Sequence, residues 1–318
     1  MAKYGMPYQG SKSSICNELL QQIPKATHFY DLFGGGGAVS HAAALSERWS
    51  QVYYNEIDSR VVTLLRDANE GRYSYDNFKP PWVGREDFFA KKDSDAYISL
   101  CWSFGNDLRS YLYGKAIEVY KKSMHQAVIF NEFDDLAEQV FGFSDWKDVQ
   151  NIKERRLFLR KRVLEIVSGR VPEFLAPFAK SPLDPTNPRA LERLQQLESL
   201  ERIQQLQHLQ QLERLQQLER VVFTLSSQDY REVEILPDSV VYCDIPYENT
   251  KEYTAAFDRQ AFLDWAAKAP FSVYISEYNI NDPRFLEVWQ KTKRKLAAGS
   301  KAKGFDAVEK LYWNGKKV

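Results

Sequence analysis

The chain has no overall charge to speak of. Its 43 Lys and Arg residues balance 43 Asp and Glu, so the total neither demands nor excludes a polyanionic partner. Cysteine and histidine are scarce and dispersed. Cys16, Cys101 and Cys243 and the four histidines show no metal-like spacing and no disulfide framework, which predicts a metal-free protein of a reducing cytoplasm. No apolar run is long enough to span a bilayer, and the opening MAKYGMPYQG carries no signal-like stretch, so a soluble protein with no membrane partner is expected. Aromatics, in contrast, are abundant, with 18 Tyr, 19 Phe and 7 Trp in 318 residues. That length suffices for one large domain or two modest ones.

Local charge is less even than the total. KERRLFLRKRVLEIVSGR (153–170) holds seven basic residues against two acids, and the tail from Lys291 holds nine against two. Both could face phosphate, and a solvated helix face is the plain alternative.

The first seventy residues alternate helix and strand patterns. A helix is expected near 15–23, a strand over 28–33, a helix over 38–49, a strand over 51–55 and a helix over 59–69. Such β-α-β-α spacing predicts a parallel sheet with helices on its faces. Pro, Asp, Asn and aromatics interrupt the pattern at 73–89, and helical stretches follow near 115–130 and 151–167. Strand patterns return at 221–225, 240–243 and 271–276. The α/β sheet is therefore split, with 1–75 and 220–318 forming one domain around an insertion over 76–219.

Within that insertion, 191–220 reads LERLQQLESLERIQQLQHLQQLERLQQLER, with Leu or Ile at every third position. Composition favours a helix. Strict threes, however, walk an apolar stripe around an α-helix by about sixty degrees per step, and a leucine-rich-repeat coil shares the pattern. A helical spacer is the preferred expectation, and a partner-binding module is its alternative.

Two strand ends carry chemistry. FYDLFGGGGAV (29–39) places Asp31 and four glycines between a strand and a helix, where backbone can approach a ligand closely. The glycines Gly34 to Gly37 are contiguous, so this is not the dinucleotide fingerprint, and a purely structural turn is the alternative. Glu56 ends the next strand, a position suited to ribose hydroxyls, with an acid at the N-terminus of the following helix as the competing role. VVYCDIPYENT (240–250) ends a strand on Asp244, Ile245, Pro246 and Tyr247. Asp244 and the Ile245 carbonyl could accept the two hydrogens of a planar amine while Tyr247 stacks on its ring, and Pro246 keeps Ile245 extended.

YQGSK (8–12), FYDLFGGGG (29–37), NEID (55–58), QDY (228–230), CDIPY (243–247), ISEY (275–278) and EKLYWN (309–314) follow one another in an order that resembles the Dam-like DNA adenine-N6 methyltransferases of the D12 class, alpha group. CWSFGNDLRSYLYGK (101–115) resembles versions carried by phages and mobile elements. The resemblance implies a Rossmann-like S-adenosyl-L-methionine-dependent sheet interrupted by a mostly helical target-recognition insertion. It implies that Phe33, Gly34, Gly36, Asp31 and Lys12 hold the methionine part of the cofactor, that Glu56 binds its ribose, and that Asp229 and Tyr230 meet its adenine. Tyr8 would support cofactor or target. Asp244, Ile245, Pro246 and Tyr247 would receive an adenine flipped out of double-stranded DNA, with no metal involved.

One departure stands out. The family's usual Asp-Pro-Pro-Tyr is here Asp-Ile-Pro-Tyr, so Ile245 lacks proline's fixed φ. A weakened or silent protein that still binds cofactor and DNA is thus one alternative to an active enzyme, and methylation of an amine in RNA or protein is another. In the insertion, Arg155 to Arg162 and the loop after Trp102 are candidates for DNA contact. Trp102, Phe104 and Tyr111 are read as core residues ahead of base wedges.

Overall fold

A computed structural model describes residues 3–167, 203–220, 222–246, 257–295 and 305–318. The chain divides into two compact units, Met1–Arg72 with Gln211–Val318, and Tyr73–Gln210. The first unit opens with α1 (Cys16–Gln21), β1 (Ala26–Asp31), α2 (Ala38–Leu45), β2 (Trp49–Asn55) and α3 (Ser59–Asn69). β1 stops at Asp31, so Leu32 and Phe33, expected as strand, instead begin the turn. α3 starts where Asp58 accepts from the Arg60 N–H at 3.0 Å, an N-cap that satisfies one of the helix's open donors. Its Val61, Val62, Leu64, Leu65 and Ala68 are buried.

The second unit is helical: α4 (Arg85–Lys91), α5 (Ala96–Cys101), α6 (Lys115–His125), α7 (Asp135–Phe141) and α8 (Ile152–Val167). Asp95 caps α5 and Asp134 caps α7, each accepting a backbone N–H three residues on. One π-helical turn, Gln126–Phe130, continues α6. Aromatic groups fill the unit, two of them large. Trp82, Trp102, Tyr113 and His125 form one, and Phe133, Phe141, Phe143, Trp146 and Phe158 form the other. Burial of His125 keeps it neutral, with its pKa lowered to about 4, and its Nε2 pairs with the Pro80 carbonyl at 2.9 Å.

α9 (Gln204–Glu213) runs through the division between the units and passes into a 3-10 helix, Arg214–Arg220. This resolves the described part of the leucine triplets; 191–202 lie outside the described residues. Ile203, Leu206, Leu209, Leu212, Leu215 and Leu218 are all buried. Over α9 the three-residue step turns the apolar side progressively, so that helix is covered over a wide arc. From Arg214 the backbone takes three residues per turn, and the same step then points every Leu one way. The helical reading holds for the described residues, and the change of helix type accounts for the period over Arg214–Arg220.

The chain then returns to the sheet through β3 (Phe223–Ser226), β4 (Ser239–Asp244), α10 (Arg259–Lys268), β5 (Ser272–Glu277), β6 (Leu286–Lys295) and β7 (Phe305–Trp313). Strand order is β3-β2-β1-β4-β5-β7-β6. β1 to β5 run parallel, β7 runs antiparallel to β5, and β6 antiparallel to β7. This is the expected mixed α/β, Rossmann-like architecture. The central strands are apolar because both faces are covered. Val240, Val241, Tyr242 and Cys243 of β4 are all at 0% exposure. On one face Tyr30, Val241, Val273 and Ile275 pack against Phe262, Leu263 and Ala266 of α10. The strand order reverses between β1 and β4, which opens a crevice at their carboxyl ends. Among the described residues no helix is long and apolar enough to cross a membrane.

Candidate functional site

Asp31 is the last residue of β1 and Asp244 the last of β4, so both acids stand at the reversal point of the sheet. Asp31 is 1% exposed. Ser40, on α2, donates to its Oδ2 at 2.6 Å, and Oδ1 has no hydrogen-bond partner among the described residues. Burial pushes its pKa up to about 7; the Ser40 hydrogen bond opposes this, and the charges of Asp244 and Glu56 add to it. A buried carboxylate with an orphan oxygen is costly unless a donor or cation arrives.

The glycine turn beside Asp31 is locked from both sides. Gly34 N–H donates to Asn55 O at 2.9 Å, Gly37 N–H to Gly34 O at 2.8 Å and Met6 N–H to Gly36 O at 2.7 Å. A Cβ on Gly34 would stand 2.1 Å from the Tyr54 ring, and one on Gly36 would stand 2.4 Å from the Tyr8 Cβ. These two glycines are thus required by packing against Tyr54 and Tyr8, a reason the sequence did not display. Gly37, at φ +70, takes the left-handed conformation ahead of α2, where glycine carries no Cβ penalty.

Glu56 secures the same turn. Its Oε2 accepts from Gly35 N–H at 2.8 Å and its Oε1 from Asp58 N–H at 3.1 Å. Burial raises its pKa while those N–H groups oppose the rise. The cap of α3 is Asp58, and Glu56 stands just ahead of that helix, accepting the Asp58 N–H. Asn55, which sequence reasoning passed over, ties three strand ends together. Its Nδ2 donates to Leu32 O at 3.1 Å and Gln228 O at 3.0 Å, and its Oδ1 accepts from Gln228 N–H at 3.0 Å and Ser226 Oγ at 2.9 Å. The signal was an asparagine ending a strand, where its amide can serve neighbouring chain ends.

Lys12, expected near the methionine part of the cofactor, turns to the end of β4: its ammonium lies 2.7 Å from both oxygens of Asp244 and 3.7 Å from Oε1 of Glu309 on β7. Lys12 and Glu309 are 5% and 4% exposed. Burial alone would favour the neutral amine, but the charges of Asp244 and Glu309 carry its pKa above the ordinary value. Ile245 follows with its side chain 1% exposed in the cluster of Leu32, Val241 and Phe262. Its extra volume relative to proline is therefore used in the core. Pro246 is half-buried, and Tyr247 lies outside the described residues.

An aromatic wall adjoins the turn. Tyr230 meets Phe33 at 5.4 Å, Phe262 at 5.4 Å and Trp265 at 5.0 Å between ring centroids, and Phe33 meets Phe257 at 5.7 Å. Asp229 is engaged by Arg231, which donates through Nε at 2.8 Å and Nη2 at 2.7 Å. That guanidinium holds Asp229 below the usual carboxylate range.

These groups fit S-adenosyl-L-methionine. The orphan Asp31 Oδ1 suits an ammonium, the Glu56 carboxylate at the glycine turn suits hydroxyls, and the Phe33–Tyr230 wall suits a purine face. Among the described residues no cluster of three or more His, Cys, Asp or Glu side chains could hold a metal ion.

In the helical unit, two cations expected at phosphate are committed internally. Arg155 donates to Val149 O at 2.7 Å and lies against Trp146, and Arg162 donates to Val140 O at 2.7 Å. Arg160 and Lys161 stay at the surface. Trp102 and Tyr111 are buried, as expected, but Phe104 is 61% exposed. It lies in a loop pinned by Phe104 N–H to Ser110 O at 2.8 Å and Leu112 N–H to Trp102 O at 2.9 Å. Gly105, Asn106 and Leu108 there all have positive φ. The tail cations are partly paired, Lys291 with Glu18 and Lys310 with Glu287.

Residues 8–100 match the family model of the D12 class N6 adenine-specific DNA methyltransferases. That stretch covers Tyr8, Lys12, Asp31, the glycine turn and Glu56, and it ends before Asp244. No curated protein matches the chain.

Proposed function

We propose that the protein transfers a methyl group from S-adenosyl-L-methionine to N6 of an adenine in double-stranded DNA. The observation that carries this reading is the pair of acids at the sheet's reversal point, one of them with an oxygen awaiting a donor. The match of residues 8–100 to the adenine-methyltransferase family model supports it.

Asp31 would receive the cofactor's ammonium through Oδ1, with Glu56 at the ribose and Phe33 and Tyr230 against the adenine. The cofactor supplies an electrophilic methyl group on a sulfonium. Asp244 would accept a hydrogen bond from N6–H of an adenine flipped out of the duplex, since a paired and stacked base cannot enter an active-site pocket. The Ile245 carbonyl would take the second hydrogen, and Tyr247 would stack on the ring. Both acceptors favour build-up of positive charge on N6, so their effect is greatest in the transition state. Once N6 is methylated, Asp244 would take one N6 proton and pass it on to water. The unit Tyr73–Gln210 would grip the duplex, with Arg160, Lys161 and Phe104 at its exposed surface, and the protein would act in the cytoplasm.

The test is transfer of labelled methyl from S-adenosyl-L-methionine to unmethylated duplex DNA, with the product base identified by mass spectrometry. N6-methyladenine is the expected product. Label in RNA or protein instead, or none at all despite cofactor binding, would sink the reading.

A further inference from the structure

The contact between Lys12 and Asp244 raises a difficulty for any amine that must use Asp244. An ammonium equidistant from both carboxylate oxygens lies across the middle of the carboxylate, and it neutralises the charge that should meet an amine becoming positive. Lys12 cannot simply withdraw, because it is 5% exposed and a buried ammonium without a partner is strongly disfavoured. Glu309 offers a second carboxylate partner. It projects from β7, is itself buried, and stands 3.7 Å from the same Nζ, beyond hydrogen-bond length and within reach of a small shift.

We propose that Glu309 is a positioning residue that offers the Lys12 ammonium a second seat, so that arrival of the target amine moves Lys12 from Asp244 to Glu309 and frees Asp244 as the acceptor. This inference rests on the methyl-transfer reading above. It makes the Asp244–Lys12–Glu309 group a relay of one cation between two carboxylates, with the substrate amine taking the seat the lysine leaves. The buried charge stays paired throughout, so exchange costs little in either direction.

Glu309→Gln removes the second seat while leaving the Lys12–Asp244 pair in place, so the variant should fold. Two readouts test it on the duplex identified by sequencing the wild-type product. The first is kcat, expected to fall about tenfold or more, the size of one lost charge-assisted contact, with cofactor affinity unchanged. The second is binding of that duplex compared with one carrying purine, which lacks the 6-amine, at the target position. The variant should lose affinity for the adenine duplex about tenfold and bind the purine duplex like wild type, because only the amine must displace Lys12. Adding Lys12→Met to Glu309→Gln should bring adenine binding back toward wild type. Equal kcat and unchanged adenine preference in Glu309→Gln would overturn the proposal, as would equal weakening toward both duplexes, the mark of a merely structural role. Failure of the wild type itself to methylate DNA would overturn the underlying reading as well, and is told apart because no variant is involved.

Discussion

Asp31 and Asp244 end neighbouring parallel strands of one sheet, yet they are opposites. Asp31 is sealed, supported by one hydroxyl, and left with an empty oxygen; burial raises its pKa to about 7. Asp244 is the more open of the two, with 23% of its side chain exposed, and it already holds a cation across both oxygens. In the methyl-transfer reading the first would receive an incoming charge, and the second would have to release one of the protein's own. Position on a strand assigns an acid to the crevice; its neighbours decide whether it binds a ligand tightly or engages one transiently.

Four substitutions separate the two roles. Asp244→Asn should show the largest effect, lowering kcat by about 100- to 1,000-fold, the usual cost of removing one preorganised electrostatic partner of a transition state, with cofactor binding nearly intact in calorimetry. A kcat within tenfold of wild type would show that Asp244 is not the acceptor. Asp31→Asn should act the other way, weakening cofactor binding by about ten- to a hundredfold and altering kcat at saturation far less. Its pH signature is specific. Because burial keeps Asp31 protonated below about 7, wild-type cofactor affinity should rise as pH passes upward through that value, and the asparagine variant should lose this dependence. The ligand-free protein should show the reverse. A raised carboxyl pKa adds stability that is complete below 3.8 and is lost as pH rises through about 7. Thermal melts at pH 6 and 8, with and without cofactor, check both signs.

Ile245→Pro tests whether the departure beside Asp244 silences the site. Since Ile245 is buried among Leu32, Val241 and Phe262, the smaller proline should cost about 1–3 kcal/mol in denaturant unfolding, with kcat changed less than about tenfold. A large gain in rate would instead identify Ile245 as the brake. Ser40→Ala should be mildest. It removes the hydrogen bond that lowers the Asp31 pKa, so the midpoint of pH-dependent cofactor binding should move up by about one unit or less.

Much of this was legible in the sequence because the central strands are covered on both faces. Apolar runs ending abruptly at Asp31 and Asp244 mark both strand and crevice, and their separation by a long insertion betrays the split sheet. The β6–β7 hairpin was not legible. LEVWQKTKRK carries charge along a sheet edge, where Leu286 and Val288 face solvent, so neither alternation nor an apolar run announces a strand. Roles of individual cations were hidden for a different reason. Arg155 and Arg162 satisfy backbone carbonyls, and Arg160 does not differ from them in composition. The pairing of Lys12 with Asp244 was not legible, since nothing in YQGSK tells which strand end its long side chain reaches. Phe104 was expected inside because aromatics usually are, and the tight loop around Gly105 and Asn106 turns it out.

The 3-10 stretch over Arg214–Arg220 bears on how such a chain tolerates the gain or loss of whole Leu-x-x triplets. Where three residues complete one turn, each added triplet lengthens the rod by about 6 Å and returns the next leucine to the same side. In an α-helix the same event would rotate everything downstream by about sixty degrees. A segment wound in threes can therefore change copy number without re-aiming β3 or the strands that follow it.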